Sequence, residues 1–155
     1  MSEIEQPAIS RMRCREMMTK NVRTATRDTS LREVALMMRD GDMGAVPIVD
    51  EGKLTGIVTD RDIVIRVVAE GKDAVTPAAD AMTTELFTVG PDDFVFEAVR
   101  LMGDKQVRRV PVVGPGGELV GIIAMADVAL ETEDESEIAE TLEEISSGSS
   151  FWSKN

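Results

Sequence analysis

Two short motifs in this sequence carry side chains that could hold an anion. Thr59-Asp60-Arg61-Asp62 places a hydroxyl and a carboxylate three residues apart, and Arg108-Arg109 is a pair of adjacent guanidinium groups. At a helix start, where free amides and partial positive charge are presented, the first motif could bind a phosphate. A guanidinium matches phosphate with two parallel hydrogen bonds, so the arginine pair is a candidate phosphate clamp. Ordinary roles compete with both: Thr59 and Asp62 also form a helix-capping pattern, and the arginines could pair with surface carboxylates.

The composition of the 155-residue chain excludes several classes of protein. It contains no His and one Cys, so His-dependent catalytic triads, the common His-containing zinc sites and internal disulfides are impossible. The net charge of −12, from 17 Lys and Arg against 29 Asp and Glu, disfavours nucleic-acid binding, because phosphate neutralisation needs a concentrated basic surface. We therefore expect no enzyme activity, no metal site and no nucleic-acid partner. Nothing marks Cys14 as activated, so we expect an inert, buried thiol.

The strongest feature of the sequence is an internal repeat of about 50 residues. At an offset of 64 residues, Met18-Thr19 matches Met82-Thr83, and residues 46–49 match residues 110–113. The turn at residues 114–117 is one residue longer than its counterpart, and beyond it Asp62 matches Asp127 at an offset of 65. A repeat of this length predicts a duplicated supersecondary unit whose copies bury each other's apolar faces.

The same order of elements is predicted in both copies, β-α-β-β-α. Ser30 and Glu33 form a capping-box pattern, and apolar residues then recur at helical spacing as far as Gly41. Segments rich in β-branched residues, separated by Gly-containing turns, predict a hairpin after each first helix. The first copy is predicted as short strand 23–25, helix 30–41, strands 45–49 and 54–58, and helix 60–71. The second is predicted as short strand 87–89, helix 93–103, strands 109–113 and 119–124, and helix 125–130.

These motifs resemble a tandem pair of CBS (cystathionine β-synthase) domains, the arrangement called a Bateman module. The resemblance is carried by the Met-Thr pair, the Val-Pro-Ile-Val-Asp strand and the Gly-Ile-Val-Thr-Asp-Arg-Asp-Ile run, and it covers residues 13–130. It implies an α+β (α/β) fold with two β-α-β-β-α units, residues 13–72 and 77–130, packed through their sheets with pseudo-two-fold symmetry. The stand-alone layout is similar to bacterial stress-type and hypoxic-response CBS-pair proteins.

The resemblance also implies a ligand, an adenosine-type nucleotide (AMP, ADP, ATP or S-adenosylmethionine) bound in the cleft between the repeats. It implies a non-catalytic sensor that passes binding on as a change of conformation or partner affinity. Ala124 stands where the first copy has Thr59, so we expect unequal clefts and at most one site of full strength. The alternative is a CBS-fold scaffold with vestigial sites, acting through dimerisation and its acidic C-terminal tail.

The candidate site residues fall into two sets. The ribose and phosphate set is Thr59, Arg61, Asp62, Arg108, Arg109 and Asp127. The adenine-pocket set is Thr24, Ala25, Val46, Pro47, Thr88, Val89, Val110 and Pro111. Each position of the adenine set could equally be ordinary core.

The C-terminal segment differs from the repeats in charge. Residues 131–146 contain eight acids and no base, with Ile138, Leu142 and Ile145 at helical spacing, so an acidic amphipathic helix is predicted there. It could dock on a dimer of this chain or on another protein. Residues 147–155 read as a flexible tail in which Phe151-Trp152 could act as an anchor. Because no apolar run reaches the roughly 18–20 residues of a membrane span and no signal peptide is evident, we expect a cytoplasmic protein without membrane contact. The resemblance to CBS pairs implies a homodimer.

Overall fold

A computed structural model describes residues 11–131 of the chain. The predicted acidic helix beyond residue 131 and the predicted tail, with Phe151 and Trp152, lie outside the described residues. In chain order, the helices and strands are α1 (Cys14–Met17), α2 (Leu31–Gly41), β1 (Ala45–Asp50), β2 (Lys53–Thr59), α3 (Asp60–Ile63), α4 (Val95–Lys105), β3 (Arg109–Val113), β4 (Leu119–Ala124) and α5 (Met125–Glu131). A π-helical turn, Val64–Val68, continues α3, and a 3₁₀ turn covers Ala78–Asp80.

These elements form two compact units. The first-repeat unit comprises Asn21–Leu86 together with Gly116–Leu119. The second-repeat unit comprises, of the described residues, 11–20, Phe87–Pro115 and 120–131. Each unit contains one two-stranded sheet, β1-β2 in the first and β3-β4 in the second. The mixed helix and strand fold predicted from the sequence is confirmed.

Local sequence accounts for most of the helix and strand positions. The Ser30 hydroxyl accepts a hydrogen bond from the Glu33 amide at 3.2 Å, as the capping pattern predicts. Helix α2 then buries Leu31 and Val34 and ends where Asp42 adopts a left-handed conformation with φ of 49°. In the first hairpin, β1 pairs antiparallel with β2, and a register shift falls between Ile48 and Val49.

Four predicted elements differ from those observed. The helix predicted over 60–71 is an α-helix only as far as Ile63 and then widens into the π-helical turn. The helix predicted from residue 93 begins at Val95, because the Asp93 carboxylate accepts a hydrogen bond from Gly90 N at 2.7 Å and forms a turn instead. The short strands predicted at 23–25 and 87–89 reduce to single parallel bridges at Ala25 and Val89.

Each unit has its own hydrophobic core. In the first-repeat unit the buried residues are Ala25, Leu31, Val34, Val46, Ile48, Val58, Val67, Ala78, Ala81 and Met82. In the second-repeat unit they are Cys14, Val89, Val95, Ala98, Val99, Met102, Val110, Val112, Ile123, Met125 and Val128. Burial of these aliphatic side chains is the main stabilising contribution in each unit.

The segment before the first repeat is built into the second-repeat unit. Cys14 N donates to Asp93 O at 2.8 Å, and Val95 N donates to Met12 O at 2.8 Å. Thr19 and Ile122 exchange two backbone hydrogen bonds, at 2.9 and 3.0 Å. The first-repeat unit has the matching arrangement, because the segment that follows the first repeat supplies Thr83, which exchanges two backbone bonds with Ile57 at 3.0 and 2.8 Å. The two units are therefore interleaved along the chain.

A glycine makes each of these attachments sterically feasible. A Cβ placed on Gly121 would lie 2.6 Å from Met18 Sδ and 2.9 Å from Thr19 O. A Cβ placed on Gly56 would lie 2.6 Å from Met82 Sδ and 3.1 Å from Thr83 O. Each Met-Thr pair of the repeat thus packs on the glycine of the strand beside it.

Candidate functional site

Thr59 and Asp62 form a complete capping box at the start of α3. Asp62 N donates to the Thr59 hydroxyl at 3.0 Å, and Thr59 N donates to Asp62 Oδ2 at 2.9 Å. These reciprocal bonds satisfy amides that a helix start otherwise leaves without partners. The neighbouring Arg61 is exposed.

The Asp62 carboxylate has further partners within the first-repeat unit. The Thr83 hydroxyl lies 3.3 Å from Asp62 Oδ1 and 3.4 Å from Oδ2, and Arg66 Nε lies 3.8 Å from Oδ1. Only 12% of the Asp62 side chain is exposed. Sequence reasoning missed Arg66 and Thr83, although the match of Met82-Thr83 to Met18-Thr19 was a signal that this segment has a defined place.

The second-repeat unit has a different arrangement at the start of α5. Ala124 provides no hydroxyl there, whereas Met125 N donates to Arg108 O at 2.8 Å. Arg108 and Arg109 are exposed where β3 begins, and Asp127 is half-buried in the first turn of α5. Asp127 and Thr19 both contribute to the lining of a cavity of about 240 Å³.

The adenine set divides into core and exposed positions. Val46 and Val110 are fully buried in the cores of their units, and Pro47 and Pro111 are also buried. Ala25 N donates to Pro47 O at 3.0 Å, and Val89 N donates to Pro111 O at 3.1 Å. Thr24 and Thr88, one residue earlier, are exposed. Thr24 and Ala25 line a second cavity, of about 370 Å³, beside helix α2.

The candidate residues therefore group by unit. The second-repeat unit holds Thr88, Val89, Arg108, Arg109, Val110, Pro111 and Asp127, and the first-repeat unit holds Thr24, Ala25, Val46, Pro47, Thr59, Arg61 and Asp62. The position equivalent to Arg108-Arg109 in the first repeat is Gly44-Ala45, which carries no charge. The basic pair at the start of the first hairpin strand is thus present in the second-repeat unit and has no counterpart at the start of β1.

Residues 11–131 contain no group of three or more His, Cys, Asp or Glu side chains arranged to hold a metal ion. Over the same residues, no helix is long and apolar enough to cross a membrane.

Cys14 is buried in the core of the second-repeat unit, and burial raises the pKa of its thiol to about 12. Repulsion from the nearby Asp93 and Glu97 carboxylates adds to the rise in pKa. The thiol is therefore protonated at neutral pH, and the folded chain offers no thiolate for catalysis.

The raised pKa of Cys14 predicts a loss of stability in alkali. The thiol of the unfolded chain ionises near pH 9, whereas the folded chain keeps its proton to about pH 12. Between these values unfolding releases a proton, so the free energy of unfolding falls as the pH rises, by at most about 1.4 kcal/mol per pH unit. Urea denaturation of wild type and Cys14→Ala at pH 8, 10 and 11 measures this. The Cys14→Ala variant should lose less stability than wild type between pH 8 and pH 11. Identical slopes of the free energy of unfolding against pH in the two proteins would contradict the raised pKa of Cys14.

Comparison with known proteins agrees with the fold and the repeat. The sequence profile of the CBS domain matches residues 14–69 and 78–134. CBS domain-containing protein YhcV of Bacillus subtilis is 39% identical over 116 residues, which are 75% of this chain and 82% of that protein. Hypoxic response protein 1 of Mycobacterium tuberculosis is 38% identical over 117 residues, which are 74% of this chain and 81% of that protein.

Solved structures give the same result. The crystal structure of Hypoxic Response Protein I with two coordinated zinc ions superposes with a TM-score of 0.71 at 36% identity, over 77% of this chain and 98% of that one. The CBS domain pair of protein MJ0100, in complex with 5′-methylthioadenosine and S-adenosyl-L-methionine, superposes with a TM-score of 0.69 at 29% identity, over 77% and 94% of the two chains. With two matched profiles, two similar units and relatives of nearly the same extent, the chain belongs to the CBS-domain family and carries two CBS domains in tandem.

Proposed function

We propose that this protein is a non-catalytic regulatory module that binds an adenosine-type ligand. The family supports this, because the MJ0100 domain pair was crystallised with two adenosine derivatives. A ligand regulates only by binding two conformational or assembly states with different affinity, so the output is a change of shape or of partner affinity. We do not propose a zinc site like that of Hypoxic Response Protein I, because this chain has no His and its single Cys is buried.

The observation that carries the proposal is that three kinds of ligand-binding chemistry belong to β3 and to the segments bonded to it in one unit. Val89, the residue after Thr88, bridges in parallel to Val112, so Thr88 lies beside the middle of β3. Arg109 begins the strand, and the carbonyl of Arg108 is bonded to the first residue of α5, the helix that carries Asp127. A backbone edge, two guanidinium groups and a carboxylate therefore belong to neighbouring elements of one unit.

These groups fit an adenosine nucleotide. The guanidinium groups suit a phosphate, because a planar fork of N–H donors matches phosphate oxygens. The Asp127 carboxylate suits the ribose, because its oxygens accept hydrogen bonds from hydroxyl groups. The backbone around Thr88 and Val89 suits the edge of the adenine ring. The first-repeat unit lacks the basic component at Gly44-Ala45, so we place the stronger site in the second-repeat unit.

The proposal is tested by titrating the full-length chain with AMP, ADP, ATP and S-adenosylmethionine while its melting temperature is followed. A ligand that binds only the folded state at 100 times its Kd stabilises by about 2.7 kcal/mol, and for a chain of this size that raises the melting temperature by about 5–10 °C. At least one nucleotide should produce such a rise at millimolar concentration. No shift with any of the four compounds would contradict the proposal.

The second candidate function is an interaction protein whose ligand sites are vestigial. It is favoured by apolar side chains left on the surface, at Val64, Ile65 and Val68 of the π-helical turn and Leu130 of α5, with exposures from 46% to 84%. Ile65 and Leu130 occupy equivalent positions of the repeat. Exposed apolar side chains at neighbouring positions, such as Val64, Ile65 and Val68, are typical of an association surface. A dimer in solution without any response to nucleotide would favour this function.

Four sequence-based expectations are part of the proposal. The two CBS domains extend over residues 13–72 and 77–130, the protein forms a homodimer, and it resides in the cytoplasm. The acidic segment at 131–146 serves as a docking element for a protein partner. Light scattering of the 155-residue chain tests the dimer. The same measurement on a chain that ends at residue 130 tests whether the dimer needs the acidic segment, and a segment that the dimer does not need remains available to a protein partner.

A further inference from the structure

The aspartates at equivalent positions of the two repeats have different surroundings. Asp62 in the first-repeat unit is contacted by Thr59 N at 2.9 Å, by the Thr83 hydroxyl at 3.3 and 3.4 Å, and by Arg66 Nε at 3.8 Å. Because a hydroxyl carries one proton, the two Thr83 distances describe one shared hydrogen bond. Amide, hydroxyl and guanidinium thus converge on a carboxylate that is only 12% exposed.

Arg66 extends this set of contacts to the backbone of the following segment. Its Nη1 donates to Met82 O at 3.0 Å and approaches Ala81 O at 3.4 Å. The Arg66 side chain is 47% exposed, so its ion pair with Asp62 is weakened by solvent, and the charge-assisted bond to Met82 O is the stronger contact. Asp62 and Arg66 lie one helical turn apart and together attach Ala81–Thr83 to the helix that begins at Asp60.

The second repeat has the equivalent aspartate, Asp127, but lacks the equivalent of Arg66. At an offset of 65, Arg66 corresponds to Glu131, whereas Ala124 retains the backbone amide of Thr59 and Thr19 corresponds to Thr83 at an offset of 64. Between residues 11 and 131, no hydrogen bond or ion pair to the Asp127 carboxylate is present. Asp127 instead lines, together with Thr19, the cavity of about 240 Å³.

We propose that Asp62 is a positioning residue that anchors Ala81–Thr83 through Thr83 and Arg66, and that Asp127 alone is the aspartate that binds ligand. This departs from the family resemblance, which assigns ribose contact to Asp62 as well. It rests on the proposed function for the role of Asp127, and it predicts one strong adenosine site per chain. The anchoring role of Asp62 stands on the contacts alone.

The test compares the isosteric variants Asp62→Asn and Asp127→Asn in the full-length chain. Asp62→Asn should lower the melting temperature by about 3–8 °C, because a charged acceptor is lost, and should raise hydrogen exchange at the Thr83 amide. Its affinity for AMP, measured by calorimetry, should stay within about threefold of wild type. Asp127→Asn should leave the ligand-free melting temperature unchanged and weaken AMP binding at least about tenfold.

Two outcomes would overturn the inference: a loss of AMP affinity in Asp62→Asn as large as in Asp127→Asn, or an Asp62→Asn variant as stable as wild type. If Asp62→Asn does not fold, Thr83→Val and Arg66→Gln remove the same contacts one at a time. Each variant should lower the melting temperature and preserve AMP affinity. If neither variant lowers the melting temperature, the anchoring role of Asp62 is contradicted. If wild type binds none of AMP, ADP, ATP and S-adenosylmethionine, the proposed function loses its support, while the melting temperatures still decide the role of Asp62.

Discussion

Gly121→Ala is expected to destabilise the second-repeat unit by about 1–3 kcal/mol, and to lie near the upper end of that range. The new methyl group would meet two atoms closer than van der Waals contact allows, Met18 Sδ at 2.6 Å and Thr19 O at 2.9 Å. The methionine side chain can change rotamer, because it is flexible. The carbonyl cannot move without breaking the paired bonds between Thr19 and Ile122. The substitution should therefore loosen the attachment of residues 13–19 as well as lower global stability.

Two other glycines provide comparisons for this prediction. Gly56→Ala should destabilise the first-repeat unit by a similar or slightly smaller amount, because the nearest carbonyl, Thr83 O, lies 3.1 Å from the new Cβ. Gly90→Ala is the control, because its nearest neighbour is the Asp93 carboxylate at 3.4 Å. Urea denaturation gives the free energies, and hydrogen exchange at Thr19 and Ile122 locates the effect. A Gly121→Ala variant as stable as Gly90→Ala would contradict the packing described.

Arg109→Gln is expected to weaken AMP binding by about tenfold. A hydrogen bond to a charged group contributes about 1.5–3 kcal/mol when well formed, and about 1.4 kcal/mol corresponds to a factor of ten in Kd. The lower value applies because Arg109 is exposed and solvent screens its charge. The affinity lost should shrink as salt is raised from low to physiological concentration. S-adenosylmethionine carries no phosphate, so its affinity should change less.

Arg61→Gln is the control for the arginine prediction. Arg61 is also exposed, but it lies in the first-repeat unit, where β1 begins at the uncharged Gly44-Ala45. Its removal should change AMP affinity by less than the removal of Arg109. Calorimetric titration of both variants with AMP provides the comparison, and their melting temperatures without ligand should match wild type. An equal loss of affinity in the two variants would argue against a site in the second-repeat unit.

The elements that could be predicted from the sequence are those specified by short-range pattern. The N-cap at Ser30, the hairpin strands and the start of α5 all follow from residues within one or two turns of each other. Helix α4 begins later than predicted because the Asp93 carboxylate accepts a hydrogen bond from Gly90 N. Local helix propensity does not predict this hydrogen bond. The spacing of the apolar residues likewise does not predict the π-helical turn after Ile63.

The candidate site was harder to predict because its residue types serve two purposes. A hydroxyl and a carboxylate three residues apart cap a helix as readily as they bind a phosphate, and at Thr59 and Asp62 the capping bonds are formed. Asp62 is also contacted by the Thr83 hydroxyl, and Thr83 lies 21 positions further along the chain. The repeated Met-Thr pair indicates that Thr83 has a defined place in the fold, but it does not indicate that Asp62 is its partner.

The interleaving of the two units sets the order in which contacts become available during protein synthesis. Cys14 contacts Phe94, 80 positions later, and the partner of Thr19 is the still later Ile122. At a translation rate of about 5–20 residues per second, the nascent segment around Cys14 waits several seconds for its partners, whereas most of the first-repeat unit has already been made. During that interval the thiol has no core around it, and its pKa is the ordinary one. We therefore expect Cys14 to react faster with oxidants and alkylating agents before the second repeat folds around it than afterwards.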